Sequence, residues 1–327
     1  MTQAMSKWGY GGTDAAPQLT NNGDTAQLSF AGTAGDRSLI TLTRLTSSSY
    51  WLTSAGSAGV SGNGTNNRAE RRVSMVMRYS KPAIAIRGAL TSYGSVTVKG
   101  SALVSGDDTP PTGWNAECAS IPNKDTSAIA YAPGASVDVQ NGNSVTGALV
   151  PDPVAGNLAT YDTFGDQSWA TLTAGADIIL NGDVDPYPVG TMTSCSTSGA
   201  AHYTNWGEPE RTSLMQGCKN YFPVIYSPRD LHLNSTARGQ GILLVDGDLQ
   251  VNGSLNFDGI IIVRGQLDMN GTADINGTVL SRTAKLTDTN AVLGNASITY
   301  SSCAAQRALS ASAVLRPTTG RSWAPLD

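Results

Sequence analysis

Between Val245 and Leu280 the sequence reads VDGDLQ VNGSLN FDGIII VRGQLD MNGTAD INGTVL, six consecutive hexads of the pattern apolar-x-Gly-x-apolar-x. The first apolar position is held by Val245, Val251, Phe257, Val263, Met269 and Ile275, and the second by Leu249, Leu255, Ile261, Leu267, Ala273 and Val279. The glycines of the repeat are Gly247, Gly253, Gly259, Gly265, Gly271 and Gly277.

This repeat predicts short strands separated by tight corners. Residues two apart on a strand share one face, so the apolar positions can point inward together. Glycine, preceded by Asp or Asn at five of the six sites, tolerates the positive φ that we expect at a corner. Three hexads would make a coil of about 18 residues that pairs in parallel with the next coil. The pattern therefore favours a mainly β protein containing a parallel β-helix, or solenoid. A run of β-hairpins with Asp-Gly and Asn-Gly turns is the alternative.

A second run of evenly spaced glycines sets the predicted domain limits. Gly88, Gly94, Gly100 and Gly106 recur at the hexad spacing, and they favour the solenoid over hairpins. We expect the solenoid to span 81–303 with an irregular insertion at about 107–240, which includes a helix near Asn157–Trp169. Residues 304–327 are expected to form a C-terminal tail.

The region 1–80 is predicted to form a small antiparallel β-meander preceded by loop. Residues 1–37 are rich in Gly, Asn, Thr and Ala and indicate mostly loop. Three β-branched or aromatic runs follow, at 38–44, 50–55 and 72–79, separated by turns of Ser, Gly and Asn. Pro82 ends this region.

The composition indicates a folded protein that works outside the cytoplasm. Hydrophobic residues make up 40% of the chain but charged residues only 14%, against about 25% in an average soluble protein. A net charge of −4 without a long basic run argues against nucleic-acid binding. The sequence contains neither an apolar run of membrane-spanning length nor a signal peptide.

Four cysteines, Cys118, Cys195, Cys218 and Cys303, form no C-x-x-C pair, which disfavours a zinc ribbon or a thioredoxin-like motif. An even number of cysteines in a chain rich in Ser and Thr predicts two disulfides, with three pairings open. Cys195–Cys218 closes the shortest loop and is the first choice. Free buried thiols are the alternative.

Three stretches resemble bacterial pilus-assembly proteins of the PilX type, which are related to minor pilins and pseudopilins. The first is the predicted meander, with YWLTSAG at 50–56; the second runs from Tyr221 to Gly247; the third is the hexad block, closed by YSSC at 300–303. The resemblance implies an envelope or pilus protein whose partners are other pilus or envelope proteins. Membrane attachment is expected only through a leader helix, which this sequence does not contain. The hexads alone also resemble bactofilins, which polymerise as cytoplasmic solenoids, but the cysteines and the low charge argue against that setting.

If this protein were an enzyme, carboxylates would be its most plausible catalytic residues. Glycoside hydrolysis needs two carboxyls about 5–10 Å apart, and the candidates are Glu208, Glu210, Asp246, Asp248, Asp258, Asp268 and Asp274. Most of these aspartates are predicted at corners, where they serve the turn, so we expect a protein that is not an enzyme.

Histidine and metal sites are not predicted either. No G-x-S-x-G elbow accompanies His202 or His232, and their spacing to the cysteines matches no zinc pattern. Oxygen-rich turns at Asp183-Val184-Asp185 and Asp246-Gly247-Asp248 are where Ca²⁺ would bind, although solvated turn residues are the simpler interpretation. No cofactor is expected.

The sequence thus predicts a non-enzymatic structural or interaction protein of the cell envelope or surface, similar to a type IV pilus-assembly or surface-filament component that self-associates or binds envelope partners. The alternative is a secreted β-helix protein that binds or degrades polysaccharide. Acids converging with aromatic side chains in one groove would favour that alternative, whereas acids dispersed at corners would favour the scaffold.

Overall fold

The computed structural model describes residues 19, 21–31, 37–60, 67–140, 144–199, 201–283, 289–318 and 323–326. The strands, in chain order, are β1 Thr25–Ala31, β2 Arg37–Arg44, β3 Ser49–Val60, β4 Asn67–Ser80, β5 Gly88–Ser92, β6 Ser95–Val98, β7 Leu103–Ser105, β8 Ser127–Tyr131, β9 Val137–Val139, β10 Val145–Thr146, β11 Leu149–Pro151, β12 Thr163–Phe164, β13 Gln167–Ser168, β14 Ile178–Ile179, β15 Val224–Ser227, β16 Leu231–Leu233, β17 Thr236–Val245, β18 Leu249–Val251, β19 Ser254–Val263, β20 Leu267–Met269, β21 Thr272–Ser281, β22 Thr289–Val292, β23 Ser297–Tyr300, β24 Val314–Pro317 and β25 Trp323–Leu326. The α-helices are α1 Asn115–Cys118, α2 Trp169–Ala174, α3 Ala201–Thr204 and α4 Ser302–Ala311, and 3₁₀ turns span Leu158–Tyr161 and Gln216–Cys218.

The chain forms two compact units. The first contains residues 1–81 and 313–327, and the second contains residues 82–312. Residues 304–327 are therefore not the single tail that the sequence predicted. Helix α4 belongs to the second unit, whereas β24 and β25 pair with β4 of the first unit, because their backbone groups complete an edge of its sheet.

The first unit is an antiparallel sheet of strand order β1-β2-β3-β4-β24, with β25 also on β4. The three predicted strands are confirmed as β2, β3 and β4. β1 lies in the region predicted as mostly loop, and it pairs with β2 along its whole length; most of the rest of that predicted loop lies outside the described residues. Alternation decides the faces: Ile40 and Leu42 are buried, while Leu39 beside Ile40 is 41% exposed, as expected of a sheet with one covered face.

The second unit contains two parallel sheets. Within the described residues, the long sheet has 11 strands and the short sheet has six. In the long sheet, Ser254 pairs with Thr236 on one side and with Thr272 on the other. In the short sheet, Leu249 lies between Leu231 and Leu267 in the same way. The sequence separation of these partners is 18, the same as between Asp258 and Asn276, and it equals the length of three hexads.

The two apolar positions of the hexads form the core shared by both sheets. All twelve side chains lie in one buried cluster, and none is more than 2% exposed. Because equivalent residues of successive three-hexad stretches are hydrogen-bonded neighbours, like side chains stack on like. The continuity of this core is therefore a direct consequence of the sequence period.

Strands β5, β6 and β7 join the same sheets, but not in chain order. Of the evenly spaced glycines, Gly88 begins β5, while Gly94, Gly100 and Gly106 lie outside the strands. The three strands pair with β21, β22 and β23 respectively, so residues 88–105 stack beside the end of the hexad block. The hydrogen bond from Thr278 Oγ1 to the carbonyl of Gly88 spans a sequence separation of 190. Next to these strands lie β8, β9 and β10.

The predicted irregular insertion at about 107–240 is corrected in part. β8 to β11 and β14 to β17 start within it and belong to the two parallel sheets. Loops of unequal length separate these strands, so they show no hexad period. The helix expected near Asn157–Trp169 is also replaced: a 3₁₀ turn and the hairpin β12–β13 precede α2.

The six repeat glycines do not all lie at corners. Gly247, Gly253, Gly265 and Gly271 lie between strands, whereas Gly259 and Gly277 lie inside β19 and β21 with φ of 143° and 146°. None of the four glycines between strands has a φ in the left-handed region. The prediction of a positive φ at the corners is therefore wrong for these four. Close backbone approach is the reason instead: a Cβ on Gly271 would lie 2.0 Å from the carbonyl oxygen of Gly253.

Helix α4 packs on β17, β19 and β21. Its buried residues are mostly small, among them Ala304, Ala305 and Ala308, which lets the helix approach the strands closely. Ile260 and Ile262 of β19 face away from the shared core, yet both are fully buried, because α4 lies against this strand. Within the described ranges no helix is long and apolar enough to cross a membrane.

Candidate functional site

Two rows of polar side chains cross the long sheet on the face opposite its apolar core. One row contains Arg238, Asn256, Asp274 and Ser297, and the other contains Gln240, Asp258, Asn276 and Thr299, each residue paired with the next. Because residues two apart share a face of a strand, both rows point the same way. The two rows flank the buried Phe257 and Ile275 in sequence.

These rows form the floor of a cleft of about 180 Å³. Its floor is made by Asn256, Asp258, Asp274 and Asn276, and its walls by Thr112, Pro209 and Glu210. The wall residues come from two loops outside the parallel sheets, at 106–114 and 205–215. Tertiary packing therefore converts an open sheet face into a concave polar site.

Asp258 is the buried carboxyl of the cleft, with only 2% of its surface exposed. Asn276 donates a hydrogen bond of 3.0 Å from Nδ2 to Oδ1 of Asp258. Among the described residues, no hydrogen-bond donor contacts the other carboxyl oxygen. Burial raises the pKa of Asp258 to about 8, and the nearby carboxylates of Asp274 and Glu210 act in the same direction.

The other two carboxylates of the cleft have partners that fix their positions. Glu210 accepts a bond of 3.2 Å from Asn256 Nδ2 and forms an ion pair of 2.6 Å with Arg238. Asp274 accepts a bond of 2.9 Å from Ser297 Oγ. The cleft thus presents carboxylate and amide groups whose orientations are set by hydrogen bonds along and across the rows.

An arginine whose side chain is only 9% exposed holds the 205–215 loop against the sheet. The Arg211 guanidinium lies 3.8 Å from the ring centroid of Trp114, and it donates bonds of 2.9 Å to Gln240 and 3.1 Å to Glu117. Gln240 in turn donates a bond of 2.7 Å to the carbonyl of Tyr221. The wall that carries Glu210 is therefore anchored to β17.

Of the seven carboxylates predicted as catalytic candidates, the structure brings three into the cleft: Glu210, Asp258 and Asp274. Glu208 is 1% exposed and accepts bonds from Thr212 and from the backbone of Glu210, so it serves the loop. Asp246 is paired with Arg264. Asp248 accepts the backbone N–H of Gln266, and Asp268 lies in the short sheet.

Trp206, which is near Glu208 and Glu210 in the sequence, does not reach the cleft surface. Trp206 is fully buried and belongs to the apolar core. Tyr187 lies nearer the surface instead. It is 50% exposed, with the Arg238 guanidinium 5.6 Å from its ring centroid.

The positions considered for calcium are occupied by protein contacts. Asp183 accepts the backbone N–H of His232 at 3.1 Å, and Asp246 is bound to Arg264 and Tyr226. In the described part of the chain, no three His, Cys, Asp or Glu side chains are grouped so that they could hold a metal ion. His202 lies beside Tyr203, with ring centroids 5.1 Å apart.

The cysteines form two disulfides. Cys195 is joined to Cys218, the pairing of first choice, and Cys118 to Cys303. The second bridge links α1 to the start of α4. Trp114, Phe222 and Ala304 pack with this bridge in one apolar cluster.

No protein-family model matches the chain, and no curated protein matches it. One solved structure, the competence-associated pilin ComZ from Thermus thermophilus, aligns over 94% of this chain and 87% of its own length. The sequence identity is 14% and the TM-score is 0.24. A score this low does not show a common fold.

Asn256 and Asn276 were not predicted as site residues, although the sequence contains a signal for them. They are the sixth and second residues of their hexads. Asn276 stands at a sequence separation of 18 from Asp258, and Asn256 has the same separation from its strand partner Asp274. Aligning the repeat in steps of three hexads places these four residues side by side. Thr112 and Glu210 have no such signal, because loops bring them to the cleft.

Proposed function

We propose that this protein is a non-enzymatic structural and interaction protein that works outside the cytoplasm and is built on a parallel β-solenoid. The observation that carries the proposal is the register of the parallel strands, in which the chain returns to the same row after three hexads. Two parallel sheets around one apolar core are the arrangement that a solenoid requires. Such a stack offers long, rigid faces for partners.

The two disulfides support an extracytoplasmic location. Disulfides persist in oxidising compartments and are rare in the cytosol. The low content of charged residues points in the same direction. Together they favour the cell envelope, the cell surface or secretion.

The two edge strands of the short sheet support an interaction role, because only the β16 edge has an outward N–H that a described side chain accepts. At the β16 end, the Asp183 carboxylate accepts the outward N–H of His232, which blunts that edge. At the β9 end, the backbone groups of Ser136 and Gln140 bond to Val96 and Val98 of β6. Val137 and Val139 alternate with these residues, so their backbone N–H and C=O groups point away from the sheet. An open strand edge is a place where another chain can add a strand.

Self-association through the β9 edge is tested by light scattering of the full chain over a range of concentrations. We expect the wild type to associate and Val139→Pro to remain monomeric, since proline removes an outward N–H. Gln140→Ala changes a side chain at the same edge but keeps the backbone groups, and is expected to associate normally. A wild type that stays monomeric at every concentration and binds no envelope protein contradicts the interaction role.

The type IV pilus-assembly-like role rests on the sequence resemblance and needs its own test. The coding DNA upstream of Met1 is the quickest one. An in-frame prepilin-type leader with an apolar helix supports that role. An immediate in-frame stop codon contradicts it and favours a free-standing solenoid, including a bactofilin-like polymer that assembles without pilus machinery.

A second candidate function is carbohydrate binding, and the cleft over Asp258 is the observation that favours it. Three of the seven candidate acids converge there, Glu210, Asp258 and Asp274. A binding protein and a scaffold are not exclusive, because the cleft and the β9 edge are formed by different residues.

A further inference from the structure

We propose that the cleft lined by Asn256, Asp258, Asp274, Asn276 and Glu210 binds one ring of a neutral saccharide. This inference rests on the second candidate function, carbohydrate binding, and specifies its ligand; it does not depend on the scaffold role. The cleft is assembled from two strands and two loops. A scaffold stabilised by its core and disulfides has no need of a walled polar site on this face.

The chemistry of the lining matches hydroxyl groups. Each sugar hydroxyl both donates and accepts a hydrogen bond, and neighbouring hydroxyls suit planar carboxylate and amide groups, which bond through two atoms at once. The cleft supplies three carboxyls and two amides, and the partners described above fix their planes. Such preorganised polar groups are the feature that gives specificity in small-molecule sites.

Asp258 supplies the observation that points most directly to a ligand. Its side chain is almost completely buried, and one carboxyl oxygen lines the cleft without a donor among the described residues. A ligand hydroxyl placed there would satisfy that oxygen.

Charge restricts the ligand to one without negative groups. Of the described cations near the cleft, Arg238 is already paired with Glu210 and Arg211 with Glu117, so the carboxylate of Asp274 would repel a uronate, a sulfate or a phosphate. A metal ion is a poorer match, because the described residues form no group of three acidic, His or Cys ligands around one point. The burial that keeps a proton on Asp258 by raising its pKa also disfavours a cation there.

The size of the cleft limits the contact to one ring. A volume of about 180 Å³ holds about six water molecules at about 30 Å³ each, which is comparable to a single pyranose. Beyond Arg238, the half-exposed ring of Tyr187 offers an apolar face on which a neighbouring sugar can stack. The arrangement therefore fits an internal or terminal unit of a longer chain.

The test is ligand-observed NMR and calorimetry on the full chain, with cellohexaose, maltohexaose, chitohexaose, xylohexaose and mannohexaose as neutral probes. Polygalacturonate serves as the anionic probe and CaCl₂ as the cation probe. We expect at least one neutral probe to bind with a Kd of about 1 mM or tighter. The anionic probe and Ca²⁺ alone are expected not to bind.

Two substitutions localise the site. Asp274→Ala removes an exposed side chain, and Asp258→Asn keeps the shape of a buried one; each is expected to weaken binding at least tenfold. Asp268→Asn, on the short sheet of the same repeat, is the matched control and is expected to change binding less than twofold. Circular dichroism and thermal unfolding establish that each variant is folded.

Three results overturn the proposal: no neutral probe binds, binding survives unchanged in folded Asp274→Ala, or Ca²⁺ alone binds and is lost in Asp258→Asn. None of them bears on self-association through β9, which light scattering measures separately. Conversely, a monomeric protein that binds a neutral hexasaccharide leaves this inference standing while the interaction role fails.

Discussion

The side chain of Asn276 donates a hydrogen bond of 3.0 Å to Asp258, the residue 18 positions earlier in the chain. The same step recurs where Asn252 donates to Asn234 at 2.9 Å and where the backbone of Gln266 donates to Asp248 at 2.7 Å. The repeat therefore organises polar side chains as well as apolar ones. One of these polar rows becomes a site only where loops wall it in.

Replacing Gly259 by alanine is expected to lower the free energy of unfolding by about 2–4 kcal/mol. The new Cβ would lie 2.1 Å from the carbonyl oxygen of Gly241, at a φ of 143° that side chains rarely adopt. Urea unfolding followed by circular dichroism measures the change. Gly182→Ala is the control, because a Cβ there meets nothing within 4 Å. Equal stabilities for the two variants would contradict the close-approach explanation.

Removing the Cys118–Cys303 disulfide is expected to destabilise the second unit more than removing Cys195–Cys218. The bridges span sequence separations of 185 and 23, and loop-closure entropy then gives about 5 and about 3 kcal/mol respectively. Serine double variants compared by thermal unfolding measure the difference. The reverse order would mean that local contacts, and not loop length, dominate.

The stability of the protein is expected to fall as pH rises from about 4 to about 8 through Asp258. Its pKa in the folded state is about 8, whereas the pKa of an unfolded aspartate is ~4. In that window the folded chain keeps a proton that the unfolded chain has lost, so the free energy of unfolding decreases with pH. Asp258→Asn removes this contribution, and its melting temperature should depend less on pH. Parallel pH profiles for the two proteins would show that Asp258 ionises normally.

Arg211→Ala is expected to cost about 2–4 kcal/mol and to loosen the wall of the cleft. The substitution removes the cation stacked on Trp114 and the donor to Gln240 Oε1. Glu117 loses one of its two arginine partners and keeps Arg307 at 3.2 Å. Hydrogen exchange should increase in the 205–215 loop, and thermal unfolding should shift downward. Arg229→Ala, at an exposed position, is the control and should change neither. Unchanged exchange in the loop would remove Arg211 from its anchoring role.

Local patterns decided much of what could be predicted about the fold. The alternation of apolar residues in β2 to β4 and the hexads from Val245 each encode which side chains face a core. Strand β1 escaped prediction because its Gly- and Asn-rich surroundings dominate the local composition. Strands β24 and β25 escaped because what makes them strands is the free edge of β4, which lies far away in sequence.

The candidate site also has a part that the sequence determined and a part that the tertiary structure decided. The sequence alone determined the three-hexad period, and with it the buried rows and the neighbouring positions of Asp258 and Asn276, since a repeat fixes every contact between successive stretches. Only the tertiary structure decided that residues 88–105 stack beside β21 to β23 and that Thr112 and Glu210 close a cleft over Asp258. Those contacts join segments separated by loops of irregular length. Their free energy comes from burial and pairing in the folded state, and no local pattern records it.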